Sequence, residues 1–282
     1  MTHILRIAAL TACLTLCMLL PFLPGRYDSL AVPLSMMAQL AGIVGLLLVP
    51  VGVGWLAYEF WSEGRRKRYV FAIVALIASS MVSAIVSLGA MSGSIALGVG
   101  ALVLWAHLVF RLWPHVRSMN DPPQAERARA ISALPLYLII VPAAVALIRI
   151  ALAEPVAEFS RNRAIRNAAA LIADIERHRV ANGRYPLSLV SVNPDYLPGI
   201  IGIKEYRYEP SGEAYNLLFE QLSLRIGTQE IVMYNPRGEQ VMTSHALDVL
   251  QLSPEQLALD RTRGHYAVHD ARQPNWKYFW FD

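Results

Sequence analysis

Cysteine is nearly absent from this chain. The two that occur, Cys13 and Cys17, stand one helical turn apart in the first apolar run, and none follows. Residues 154–282 therefore have no disulfide framework and no thiolate for a metal, and their fold must rest on an apolar core. Charge is scarce too: 16% of residues are charged against 55% hydrophobic, too apolar for an ordinary soluble protein of this length. Motifs of dedicated chemistry are missing as well. There is no His-Glu-x-x-His, no Gly-x-Ser-x-Gly, no phosphate-binding glycine loop and no acidic run at calcium-loop spacing. Those absences remove the zinc-protease, serine-hydrolase and P-loop readings.

What is present is apolar sequence of bilayer-spanning length, concentrated in residues 1–153. Lys and Arg outnumber Asp and Glu by 11 to 5 there, and fall behind by 14 to 16 in residues 154–282. The basic balance is thus a property of the apolar half. Beside apolar spans it reads as a record of membrane insertion, not of nucleic-acid binding. Five spans are expected, at about 4–23, 35–59, 69–89, 93–113 and 131–153. The first lacks a small-residue cleavage site and reads as an uncleaved anchor. Leu10-Thr11-Ala12-Cys13 has the loose form of a lipoprotein cleavage site, but the residues after Cys13 stay hydrophobic where a polar tether belongs. The second span is long and interrupted by Pro50, Gly52 and Gly54, which predicts a tilt or kink. The turn formers Gly89 to Ser94 divide the third span from the fourth.

Orientation follows from the charges. Arg6, Arg65, Arg66, Lys67, Arg68, Arg111, Arg117, Arg127 and Arg129 fall on one side of these spans. Arg26, Arg161, Arg163 and Arg166 fall on the other. The positive-inside rule then sets the N-terminus in the cytoplasm and residues 154–282 outside. Within the spans the ionisable residues are His107, Arg149 and Glu59, all near span ends. Ser79, Ser83 and Ser87, and the pairs Ala41/Gly45 and Ala96/Gly100, have the four-residue spacing of helix-packing surfaces.

Past Ala153 the pattern changes. Glu154-Pro155 predicts the end or a kink of the fifth span, because proline cannot donate to the helix ladder. Ile165, Ala168, Ala169, Ile172 and Ile175 then keep a helical period with one apolar face, and Asn182-Gly183 is a helix stop. After it the period falls to two: strands are expected at 205–209, 214–220, 230–234, 266–269 and 276–281, with a helix starting at Ser253-Pro254. The expected fold class is a membrane all-α bundle of five transmembrane helices, residues 1–153, followed by an α+β domain, residues 154–282, with one long helix and a small antiparallel sheet.

The passage from Ala168-Ala169-Ala170-Leu171-Ile172 through Asn182-Gly183-Arg184-Tyr185-Pro186 resembles type II secretion pseudopilins and related type IV pilin-like proteins. The resemblance implies a membrane helix continuing into an amphipathic half, a Gly-x-Tyr-Pro turn at Gly183, Tyr185 and Pro186, and a small antiparallel sheet outside the cytoplasm. The leader cleaved before Phe-Thr-Leu-Ile-Glu in pseudopilins has no counterpart before Ile131. The implication is therefore one of fold and location, not of a released, polymerising subunit.

Candidate site residues are few. His265 and His269, with Asp270 and His245 near in sequence, are the candidates for acid–base or metal chemistry, though a spacing of four in a strand is long for one metal. Asp195, Glu205 and Glu209 are candidate oxygen ligands for calcium. Trp276, Tyr278 and Trp280 are either core closure or a partner-binding patch. The expectation is a multi-pass plasma-membrane protein of a bacterium without catalytic residues, cofactor or metal. Its partners would be the lipid bilayer and an envelope protein, and its exported pilin-like domain would bind that partner or sense the envelope, as a possible accessory of a secretion or pilus system. The alternative is a membrane enzyme or transporter using Arg149 or the two histidines at the outer mouth of the bundle.

Overall fold

A computed structural model describes residues 2–61, 68–119, 132–192, 195–224, 228–240 and 268–281. The chain divides into two compact units. One comprises Met1–Leu20 and Leu30–Leu152, the other Pro21–Ser29 and Ala153–Asp282.

The first unit is helical. It contains α1 (Thr2–Leu19), α2 (Ala31–Gly45), α3 (Val49–Trp61), α4 (Arg68–Met91), α5 (Ile95–Ser118) and the first part of α6 (Leu134–Asn182). Five helical stretches are long and apolar enough to cross a membrane: 3–22, 31–61, 68–91, 95–118 and 134–182. The expected break in the second stretch is a short 3-10 segment, Leu46–Leu48, between α2 and α3. Pro50 explains it. Its nitrogen has no hydrogen to give the Leu46 carbonyl, and its ring crowds that oxygen. The Leu46 carbonyl accepts instead from the Val49 N–H, three residues on. The turn between α4 and α5 is tighter than expected, since α4 runs through Gly89 and Ala90 to Met91. Ser94 caps α5, its Oγ accepting from the Leu97 N–H at 3.4 Å.

Glycines set several helix contacts, Gly45 of the expected Ala41/Gly45 pair among them. A Cβ on Gly42 would lie 2.7 Å from Val145, one on Gly45 2.9 Å from Pro142, and one on Gly52 2.7 Å from Ile139. Close approach of α2 and α3 to α6 thus needs small residues, as membrane helix packing does. Gly98 does the same for α5 on α4, where a Cβ would meet the Ser87 carbonyl oxygen at 2.6 Å. The Ala96/Gly100 pair faces outward, with nothing within 4 Å of a Cβ on Gly100.

The second unit packs the last part of α6 against an antiparallel sheet of β1 (Arg207–Ser211), β2 (Ala214–Leu222), β3 (Gln229–Tyr234), β4 (His269–Asp270) and β5 (Trp276–Phe281). The strand order is β1-β2-β3-β5-β4. Two expectations need correction. Pro155 neither ends nor breaks the helix: α6 is one helix of 49 residues, roughly 70 Å at about 1.5 Å per residue. One missing donor costs a single ladder bond, and the neighbouring turns carry the helix across. The buried face is also turned from the expected one. It comprises Ala164, Ile165, Ala168, Leu171 and Ile175, whereas Ala169 is exposed and Ile172 lies at the flank.

The core between helix and sheet adds Leu217, Phe219, Tyr215, Val232 and Trp276, with Ile200 and Ile203 from the loop before β1. Leu218, Met233 and Phe279, which point to the opposite face by strand alternation, are buried as well. The β1–β2 hairpin closes through Gly212-Glu213, with Ser211 paired to Ala214 and Gly212 at φ 58°. A glycine at the first loop position with positive φ is what a two-residue hairpin of this kind requires.

Pro21–Ser29 enters this second unit as an extra strand-like strap. The Gly25 N–H donates to the Gly199 carbonyl at 3.1 Å and the Asp28 N–H to Ile201 at 3.0 Å. In return the Ile201 N–H donates to Leu23 at 3.0 Å and the Gly202 N–H to Pro21 at 2.8 Å. Pro21 to Leu23, expected within the first span, and Pro24 to Ser29 after it thus belong to this unit.

Candidate functional site

The helix stop and the turn after it are built locally. The Gly183 N–H donates to the Arg179 carbonyl at 2.8 Å, with Gly183 in the left-handed region at φ 69°, where glycine has no Cβ to clash. Tyr185 then turns back into the core, its ring edge-on to Tyr215 with centroids 4.9 Å apart. Its hydroxyl takes a 2.8 Å hydrogen bond from Arg179 and reaches Glu176 at 3.3 Å. Pro186 is buried, and its carbonyl accepts from the Tyr208 hydroxyl at 2.8 Å. Burial first, then the nearby Tyr185 and Glu176, pushes the Tyr208 phenol up to about 12. These rings are structural pillars at one end of the core.

The other end of the core carries charge. Strand register aligns Phe219, Val232, Tyr278 and His269 in one row across β2, β3, β5 and β4, and Gln221, Glu230 and Trp280 in the next. By alternation both rows face the side that packs on α6. From α6, at helical spacing, come Glu154, Ala157, Ser160 and Arg161. The Arg161 Nε lies 3.0 Å from the Glu230 carboxylate, and its Nη2 lies 3.6 Å from Glu154. Its guanidinium carbon sits 3.5 Å from the centre of the Tyr278 ring, a cation–π stack. Gln221 donates to Glu230 at 2.7 Å and to the Ala157 carbonyl at 3.1 Å, while its own oxygen accepts from Ser160 at 2.8 Å. Arg161 and Glu230 are 3% and 1% exposed, so this is a true interior ion pair, whereas the Glu154 side chain is half exposed.

The electrostatics follow from that burial. Loss of water pushes the Glu230 carboxyl up to about 7, against the pull of Arg161 and Gln221, and Glu154 adds to the rise. Burial likewise raises the Tyr278 phenol, and Arg161 opposes it. Two carboxylates thus share one guanidinium, and burial holds the Glu230 carboxyl well above the usual carboxylate range. His269 closes the row, its ring stacked on Tyr278 at 5.1 Å and edge-on to Trp280 at 4.5 Å.

The other sequence candidates scatter. His245 and His265, and the helix start at Ser253, lie outside the described residues. Asp270 pairs with Lys277 in the β4–β5 ladder. Asp195, Glu205 and Glu209 are exposed, and among the described residues no group of three His, Cys, Asp or Glu side chains is placed to hold a metal. Trp276 is core, Tyr278 stacks on Arg161, and Trp280 lies against His269. In the first unit, Arg149 donates to Gln39 at 3.4 Å, Gln39 to Ser35 at 3.3 Å, and Ser35 to the Met18 carbonyl. Glu59 is buried, not merely terminal. It accepts from Trp55 at 3.1 Å and forms an ion pair with Arg68, whose Nε lies 2.6 Å away. His107 is exposed on α5.

Sequence reasoning misses Glu230, Gln221 and the pairing of Arg161. One signal for two of them is strand parity: Gln221 continues the inward series of Leu217 and Phe219, and Glu230 the inward series of Val232 and Tyr234. A charged or amide side chain at an inward position needs a buried partner. No protein-family model matches the chain, and neither the curated proteins nor the solved structures contain a match.

Proposed function

We propose that this protein is a multi-pass plasma-membrane protein of a bacterium that holds a pilin-like domain outside the cytoplasm, where the domain binds an envelope partner or senses the envelope without catalysing a reaction. The observation that carries this reading is α6. A single helix is apolar and packed among helices in its first part, then amphipathic and roofed by an antiparallel sheet, and it ends in Gly183-Arg184-Tyr185-Pro186. The role in partner binding is supported by large apolar side chains on the second unit that stay in the open: Val180, Leu187, Val190 and Leu197 are 85%, 75%, 79% and 60% exposed. The orientation is supported by the excess of Lys and Arg on the N-terminal side of the spans. It is supported also by the strap, because five crossings put the connection after the first span and the chain after the fifth on one side.

Labelling of single cysteines with a membrane-impermeant maleimide tests the orientation, in a background with Cys13 and Cys17 replaced by alanine. Leu187→Cys should react in intact spheroplasts and Arg117→Cys only after permeabilisation; the reverse pattern rejects the reading. Photocrosslinkers at Leu187 and Val190 test the binding role. A discrete adduct with one envelope protein is expected, absent with the crosslinker at Arg207, and equal yields of the same adduct at all three sites reject it.

A further inference from the structure

We infer that Arg161, Glu230 and Glu154 form a proton-operated clamp, in which protonation of Glu230 releases the ionic tie between α6 and the sheet and leaves Arg161 paired within the helix to Glu154. The geometry is that of one guanidinium between two carboxylates on different elements: Glu230 on β3 at 3.0 Å and Glu154 on α6 itself at 3.6 Å. Among the described residues, the groups facing Glu230 come from four elements. α6 supplies Arg161 and Glu154, and also Ser160, which holds Gln221. β2 supplies Gln221, whose amide donates to the carboxylate. β5 supplies Tyr278 and Trp280, and β4 supplies His269 behind the Tyr278 ring.

With both carboxylates ionised, the cluster holds two negative charges against one positive, and one of the negatives is in the interior. Like charges sharing a site raise the proton affinity of one of them, and burial selects which. Glu230, at 1% exposed, is the one that takes the proton, while Glu154 is half in water. Once neutral, Glu230 keeps its hydrogen bond from Gln221 but loses its attraction for Arg161. The guanidinium remains stacked on Tyr278 and, among the described residues, has Glu154 as its ionised partner. The ionic link between sheet and helix is thereby exchanged for one within the helix, at the point where α6 enters the second unit. The clamp is set inside that unit, so it operates whichever side of a membrane the unit occupies.

Infrared difference spectroscopy of the full-length protein in nanodiscs, titrated from pH 5 to pH 9, tests the clamp. The wild type should show a protonated-carboxyl band that disappears with a midpoint near pH 7. Glu230→Gln should lack that band. Glu154→Gln removes the competing negative charge and should move the midpoint down by about a unit. Glu220→Gln, an exposed carboxylate paired with Arg207, should leave it in place. A midpoint in the ordinary carboxylate range, a band that persists in Glu230→Gln, or a midpoint unmoved in Glu154→Gln overturns the inference. Should Glu230→Gln not fold, the Glu154→Gln shift decides alone. The maleimide and crosslinking results leave this outcome untouched, so the two can fail separately.

Discussion

Glu230 and Arg161 stand 69 positions apart in the chain, yet each is the other's reason for being buried. Removing either partner leaves a charge in the interior without its counterion, a loss of about 3–5 kcal/mol in comparable cases. Arg161→Ala should therefore lower the unfolding midpoint of the second unit far more than Arg177→Ala, which removes an exposed pair with Asp174. Denaturant titration followed by tryptophan fluorescence measures both, and equal small effects would sink the assignment. The pH dependence has a definite sign. Glu230 binds its proton more tightly folded than unfolded, with its carboxyl raised from 4.5 to about 7. Between those values the folded chain holds the extra proton, so this group's contribution to stability falls as pH rises through that window and levels off above it. The stability difference between wild type and Glu230→Gln should thus change between pH 5 and pH 8, to the disadvantage of wild type at pH 8. A difference independent of pH would show that Glu230 does not titrate there.

At the scale of elements, what was legible in the sequence is what is decided locally. Gly183, Tyr185 and Pro186 are read correctly as a helix stop and turn because a left-handed cap and an X-Pro step are properties of adjacent residues. The five apolar stretches are equally plain, since length and composition suffice to find them. The continuity of α6 through Pro155 is not legible: a proline's local cost is visible in the sequence, and the packing that offsets it is not. The same holds for the helix face, where Ala164 and Leu171 displace Ala169 from the interior by a rotation of the stripe. Glycine roles divide likewise. Gly42 and Gly100 look alike in sequence, yet only Gly42 has a neighbour, Val145, where a side chain would go. Gly42→Leu should destabilise the bundle by about 1–3 kcal/mol, while Gly100→Leu should stay within about 0.5 kcal/mol. Thermal unfolding in detergent compares them, and similar losses would contradict the α2–α6 contact.

At the scale of the whole molecule, the second unit is discontinuous. A cut at residue 153 yields a fragment without Pro21–Ser29, in which the carbonyls of Gly199 and Ile201 and the N–H groups of Ile201 and Gly202 lose their partners. Hydrogen exchange at Ile201 and Gly202 should be much faster in residues 153–282 alone than in the intact chain, and restored by Pro21–Ser29 supplied in the same chain through a flexible linker. Equal protection with and without the strap would show that those bonds add nothing. No local pattern in Pro21–Ser29 announces this pairing, because its partner, residues 199–202, is remote in the sequence.

The strap also fixes an order of events in time. Its residues leave the ribosome long before 199–202 exist. At about 5–20 residues per second the interval is roughly 10–30 s. The segment that follows the first apolar stretch must therefore wait unpaired while four more apolar stretches are made. Residues 199–202 then pair with the segment between the first two apolar stretches. That pairing closes a circle in the chain, and a chain that stalls before residue 199 leaves the Gly25 N–H and the Pro21 and Leu23 carbonyls of the strap without these partners.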